Sequence, residues 1–118
     1  MESVLNKYSA IAFVPTAHAS RYLQQLCKHW SHNLRVEFDA QRGTVAFPRD
    51  ARGADHPGDG LAAFDAREDV LEVRIEATSA EQLDSLKDVV ARHLDRFAFR
   101  EAPLAFDWSP AQVLSRAD

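Results

Sequence analysis

Thr16–His32, TAHASRYLQQLCKHWSH, is the stretch whose reading decides the fold. Pro15 holds the chain extended before it, Thr16 is a candidate N-cap, and nothing from Ala17 to His32 breaks a helix. At about 100° per residue, Ala19, Tyr22, Leu23, Leu26, Cys27 and Trp30 fall on one broad stripe, the pattern of a helix lying on a core. His18, Gln25, His29 and His32 fall along one edge of that stripe, with Arg21 and Lys28 further towards solvent. A cationic helix with an imidazole-rich border is therefore the first candidate for a binding surface.

Outward from this helix the chain alternates. Residues 9–14, SAIAFV, form a short β-favouring run, with Ile11 and Phe13 on one face and Ala10, Ala12 and Val14 on the other. The small alanines suit a face closely covered by helix. After the helix, Leu34–Asp39 and Thr44–Phe47 alternate on either side of Gln41-Arg42-Gly43, a hairpin in which Gly43 is available for a positive φ. Pro48–Gly60, PRDARGADHPGDG, reads as a mobile loop. Its Asp55-His56-Pro57-Gly58-Asp59 lacks the ligand spacing of a calcium loop and reads as a solvated turn.

Gly60–Ala66 is a weaker strand and Val70–Ala77 the strongest one, joined by the polar turn Arg67-Glu68-Asp69. Ser79 followed by Gln82 has the capping-box form, so a second helix begins there. Its buried stripe is Leu83, Leu86, Val90, Leu94 and Phe97, with Val89 and His93 beside it. Pro103 bars further helix, Leu104–Trp108 alternates as a last strand, and residues 109–118 read as a loose tail. The expected fold is α+β, a curved antiparallel sheet of five to six strands with two helices on one face, in the order β-α-β-β-β-β-α-β. The bare face would carry the mixed charges of Arg35, Glu37, Glu72, Arg74 and Glu76.

At 118 residues the whole chain, 1–118, fits a single domain. No apolar run approaches the ~20 residues of a membrane span, and the amino end has no signal-peptide pattern, so a cytoplasmic location is expected. One cysteine, Cys27, excludes an internal disulfide and suits a reducing compartment. The net charge of −4 argues against nucleic acid as a partner. That average hides a polarity, because Lys7, Arg21, Lys28 and Arg35 are the charged residues between Ser3 and Val36. The acids Asp84, Asp88 and Asp95 of the second helix are placed to offset them.

The stretches Val14-Pro15-Thr16 with ASRYLQQLCKHWSH, and HLDRFAFRE from His93 to Glu101, resemble the signatures of the bacterial family known as domain of unknown function 2218. The resemblance covers nearly the whole chain. It brings no mechanism with it, but implies a setting beside siderophore-interacting flavin reductases and hence near iron uptake. The Pro48–Gly60 loop is longer than the family pattern, which bears on any pocket that the loop borders.

No catalytic or cofactor motif is present, so the residues favour a non-catalytic accessory or binding domain for an anionic small molecule or a protein partner. Its candidate ligand-binding residues are His18, Arg21, Gln25, Lys28, His29 and His32. A second reading is a metal-dependent enzyme in which His29 and His32, three apart on one helix, share a transition metal with a distant ligand. Cys27 points away from His29 towards the core, so that ligand falls to His56, His93, Asp107 or another chain. A third is a homodimeric module joined through a strand edge or near Trp108. Trp30 and Cys27 read as core residues, and Arg96 and Arg100 as cations complementing a helix C-terminus.

Overall fold

A computed structural model describes residues 6–115. Its elements are β1 (Asn6–Pro15), α1 (Ala19–Trp30), β2 (Arg35–Phe38), β3 (Arg42–Phe47), β4 (Gly60–Ala66), β5 (Val70–Ala77), α2 (Ala80–Phe97) and β6 (Gln112–Ser115). The strands form one antiparallel sheet in the order β2-β3-β4-β5-β1-β6, and both helices pack on the same face. The fold is therefore α+β, as the alternation and the two amphipathic stripes require.

β5 sits at the centre because its apolar residues all point one way. Leu71, Val73, Ile75 and Ala77 are buried, while Arg74 is exposed and Glu72 and Glu76 are half-buried on the bare face. β1 pairs with it from Tyr8↔Ala77 to Pro15↔Val70. Ala10 and Ala12 lie beneath the helices with almost no exposure, since a longer side chain there would hold the helices off the sheet. Leu23 and Leu26 from α1 and Leu83, Val90 and Leu94 from α2 complete the core. Each contributes about 1.5–3 kcal/mol by leaving water.

Four details depart from the reading of the sequence. α1 begins at Ala19 rather than at Ala17, because the Thr16 hydroxyl accepts from the His18 amide at 3.0 Å and makes a turn before the helix instead of capping it. α1 also stops at Trp30, whose carbonyl accepts from the amides of Asn33 and Leu34, so His32 lies in a turn and not on the helix. Gly43 does not take a positive φ; it is a buried strand residue paired with Phe38 and Phe64. A Cβ built there would stand 2.7 Å from Cys27 Sγ, so its value is close approach of α1 to the sheet.

The last strand is the fourth departure. Leu104–Trp108 runs extended without ladder pairing, and the strand is Gln112–Ser115, inside the segment expected to be a loose tail. It pairs with Asn6–Ser9 of β1. Leu104 is buried and Phe106 and Trp108 half-buried, so the alternation at 104–108 reports side chains meeting the core while the backbone first joins β1 at Ser109 and Ile11.

Candidate functional site

The second helix sends one stripe towards the end of the first. Gln82, Ser85, Leu86, Val89 and His93 recur at helical spacing along α2 and face Trp30, the last residue of α1, and Phe47, the last of β3. Between them opens a cavity of about 450 Å³, closed on its remaining side by Asn33, Leu34, Pro48, Ala51, Ala54 and His56, with His29 on its rim. Trp30 makes the floor, edge-on to Phe47 with ring centres 5.2 Å apart and 5.0 Å from the ring of His93.

The Pro48–Gly60 loop reaches this position because its own polar groups tie it down. The Arg49 amide donates to Asp59 and its guanidinium to the His56 carbonyl and the Asp55 carboxylate, around a 3-10 turn at Ala51–Gly53. Gly53 takes φ 79°, which a side chain would resist. Gln82 then fastens the loop to α2. Its Nε2 donates to the Gly58 carbonyl at 3.0 Å, while Oε1 accepts from the amide and hydroxyl of Thr78, each at 2.7 Å. Ser79 caps α2 as its spacing requires, accepting from the Gln82 amide at 3.0 Å. The return arm of the capping box is displaced by one residue, because Gln82 serves Thr78 rather than Ser79.

His93 is the chemically distinctive residue of the cavity. Its Nδ1 lies 2.7 Å from the Val89 carbonyl, and a carbonyl only accepts, so Nδ1 carries the proton and Nε2 the lone pair. Burial is the main reason its pKa falls below the ordinary 6.5, so the neutral form is favoured. The residue is 8% exposed, yet among the described residues no buried side-chain nitrogen or oxygen is left unpartnered. Among the described residues Nε2 has no hydrogen-bond partner, and His93 is part of the cavity lining. The ring of His29 stands 5.8 Å from that of His93 and equally far from Phe97.

The helix edge singled out in the sequence is divided by the fold. His29 lines the cavity. His18 precedes α1 at its other end, edge-on to Tyr22 at 6.0 Å, and His32 is exposed in the turn after it. Arg21, Gln25 and Lys28 are exposed on α1 outside the lining. The three imidazoles that share the cavity are His29, His56 and His93, although no group of three potential metal ligands is in reach of one ion among the described residues. Asn33, Phe47 and Ser85 were not singled out beforehand, and nothing local in the sequence marks them. Gln82 did carry a signal, its place in the capping box.

Two further groups are structural. Cys27 is fully buried, and burial pushes its thiol up to about 12. Glu101 accepts from both Tyr22 and Thr16, joining the end of α2 to the start of α1. The Tyr22 hydrogen bond is the main reason its carboxyl stays below the usual range.

A family model for uncharacterized proteins conserved in bacteria, DUF2218, matches residues 11–109. The chain belongs to the DUF2218 family. The matched span contains every residue of the cavity and ends before β6, so the DUF2218 signature covers both helices, strands β2 to β5 and the Ile11–Pro15 half of β1. Among solved structures, the chain is similar to the NMR structure of PA4090 from Pseudomonas aeruginosa, with 29% identity and a TM-score of 0.67 over 87% of this chain and 96% of that one. None of the curated proteins compared matches it. No helix among the described residues is long and apolar enough to cross a membrane.

Proposed function

We propose that this DUF2218 domain binds a small planar molecule in the cavity between α1 and α2, with a hydrogen-bond donor of the ligand on Nε2 of His93. The observation that carries the reading is that lone pair, held in one tautomer and without a partner among the described residues, on a residue that lines an aromatic-walled space. A volume of about 450 Å³ falls in the range of small-molecule sites. Trp30, Phe47, Leu86 and Val89 supply the apolar walls, and the polar groups are few, as such sites require.

The chemistry of the lining favours a neutral ligand over the anionic one expected from the charge of α1. The lining holds no carboxylate, lysine or arginine among the described residues, and Arg21 and Lys28 lie outside it. A neutral imidazole with Nδ1 already engaged accepts at Nε2 and repels a carboxylate brought to the same lone pair.

Phenol and indole as neutral donors, with benzoate as the anionic contrast, test this at pH 8. Saturable shifts of the His93 ring nitrogens and of the Trp30 indole with the neutral probes, lost in a folded His93→Phe variant, are expected. Benzoate binding as tightly as phenol, or phenol shifts that survive in His93→Phe, would overturn the proposal.

A further inference from the structure

The sheet ends at β2, and the hydrogen bonds of the β2–β3 hairpin determine which backbone groups face outward. The Asp39 amide donates to the Arg42 carbonyl at 2.8 Å, and the register pairs Phe38↔Gly43, Glu37↔Thr44, Val36↔Val45 and Arg35↔Ala46. Hydrogen-bonded and open pairs alternate in an antiparallel ladder. Arg35 and Glu37 therefore bond to β3, while the N–H and C=O groups of Val36 and Phe38 point away from the sheet. At the other end of the sheet β6 covers only Asn6–Ser9 of β1, and the rest of β1 offers less: Ile11 is already met by Ser109, and Pro15, two residues past Phe13, has no N–H to give.

The β2 edge is complementary to itself. When a second copy is laid antiparallel against it with Val36 opposite Val36, the two valines exchange both backbone hydrogen bonds, and each Phe38 N–H meets the Leu34 carbonyl of the other copy. The same register sets Arg35 opposite Glu37 twice, on the bare face where both are exposed. On the helix face it sets Phe38, at 41% exposure, opposite the half-buried Leu34. Edge strands usually avoid such pairing with like charges or proline; here the charges alternate so that a two-fold axis through Val36 matches them.

We infer that this edge is an interface between two copies of the chain, a two-fold dimer in which β2 pairs with β2 to make one continuous twelve-stranded sheet from two six-stranded ones. The register commits the partner to a second copy, since Arg35 and Glu37 are spaced symmetrically about Val36. The contact is short, so the dimer is weak and concentration-dependent. It shares Leu34 with the cavity wall but needs no ligand there.

Sedimentation velocity of the full chain across a concentration series tests it. Arg35→Glu and Glu37→Arg each place like charges opposite one another and are expected to weaken association about tenfold. An equimolar mixture of the two variants restores both opposite pairs and should associate as the wild type does. The double exchange Arg35→Glu with Glu37→Arg in one chain should do the same, which controls for a single variant that fails to fold. A chain that stays monomeric up to about 1 mM, association indifferent to either reversal, or a mixture no tighter than its components would overturn the inference.

Discussion

Gln82 is 2% exposed and makes three side-chain hydrogen bonds, so its replacement by leucine is a direct test of how the loop is held. Each bond is worth about 1 kcal/mol net, and a buried donor left dry costs about 1–3 kcal/mol more. The loss is partly offset, because the single proton of the Thr78 hydroxyl can turn fully to the Gly58 carbonyl, 3.2 Å away. What remains uncompensated is chiefly the Thr78 amide, so Gln82→Leu should cost about 2–4 kcal/mol. In urea unfolding this is a fall in midpoint of about 1–2 M at unchanged slope. Native-state hydrogen exchange should show the Gly58 amide, now bonded to Thr78 at 3.0 Å, losing more protection than the centre of β5. Gln82→Glu separates the two halves of the clamp, since a carboxylate still accepts from Thr78 but faces the Gly58 carbonyl with no proton. Burial raises the pKa of that carboxyl in the folded state, so relative to wild type the variant gains stability as pH falls and the donor is restored. A loss below about 0.5 kcal/mol in Gln82→Leu, or loop protection unchanged beside that of β5, would refute the clamp.

Two further predictions concern the core and the cavity. Gly43→Ala places a Cβ 2.7 Å from Cys27 Sγ and 3.1 Å from Phe38 Cβ, and should cost about 1–3 kcal/mol. Combined with Cys27→Ala it should cost less than the two single changes together by about 0.5 kcal/mol or more in chemical denaturation; strict additivity would show that the sulfur is not the obstacle. For His93, a folded pKa below 6.5 means that the unfolded chain takes up the proton first as pH falls. Its contribution to stability is therefore complete above 6.5 and is lost as pH drops towards its folded value, with a slope of at most about 1.4 kcal/mol per pH unit. His93→Phe should flatten the wild-type dependence in that window, and an unchanged dependence would mean that another group causes it.

Side-chain periodicity made most of the architecture legible. The alternation of Val70–Ala77 and the stripe from Leu83 to Leu94 are repeated signals that each need an apolar surface opposite, and only one layer arrangement satisfies both. Backbone pairing leaves a weaker trace. Leu104–Trp108 alternates because Leu104, Phe106 and Trp108 turn towards the core, and that pattern is the same whether or not the backbone has a ladder partner. Gln112–Ser115 is the converse case, a strand with ladder bonds to β1 whose Val113 is exposed, so its pairing leaves no hydrophobic alternation. Gly43 was legible as a position requiring glycine, but turn chemistry and close packing demand the same residue, and only the place of Cys27 opposite it decides between them.

The site was legible in its residue types and not in their grouping, and the reason lies in one carbonyl. α1 ends at Trp30, whose carbonyl accepts from Asn33 and Leu34 in the turn that follows, so His32 lies past the helix, exposed and outside the cavity lining that holds His29. Proximity along a helix predicts proximity in space only while the helix lasts. His29 and His93 meet for a different reason: each flanks a residue buried in the same interface, Trp30 beside the one and Leu94 beside the other, so the packing of α1 on α2 sets their rings 5.8 Å apart. His56 joins them because Arg49 folds its loop and Gln82, with Thr78, ties that loop to the sheet and α2. The cavity thus depends on core packing for one wall and on a hydrogen-bonded loop, with Gln82 as its tie to α2, for another, so loss of the Gln82 clamp should weaken ligand binding while leaving the His93 tautomer, fixed by Val89 on the same helix, unchanged.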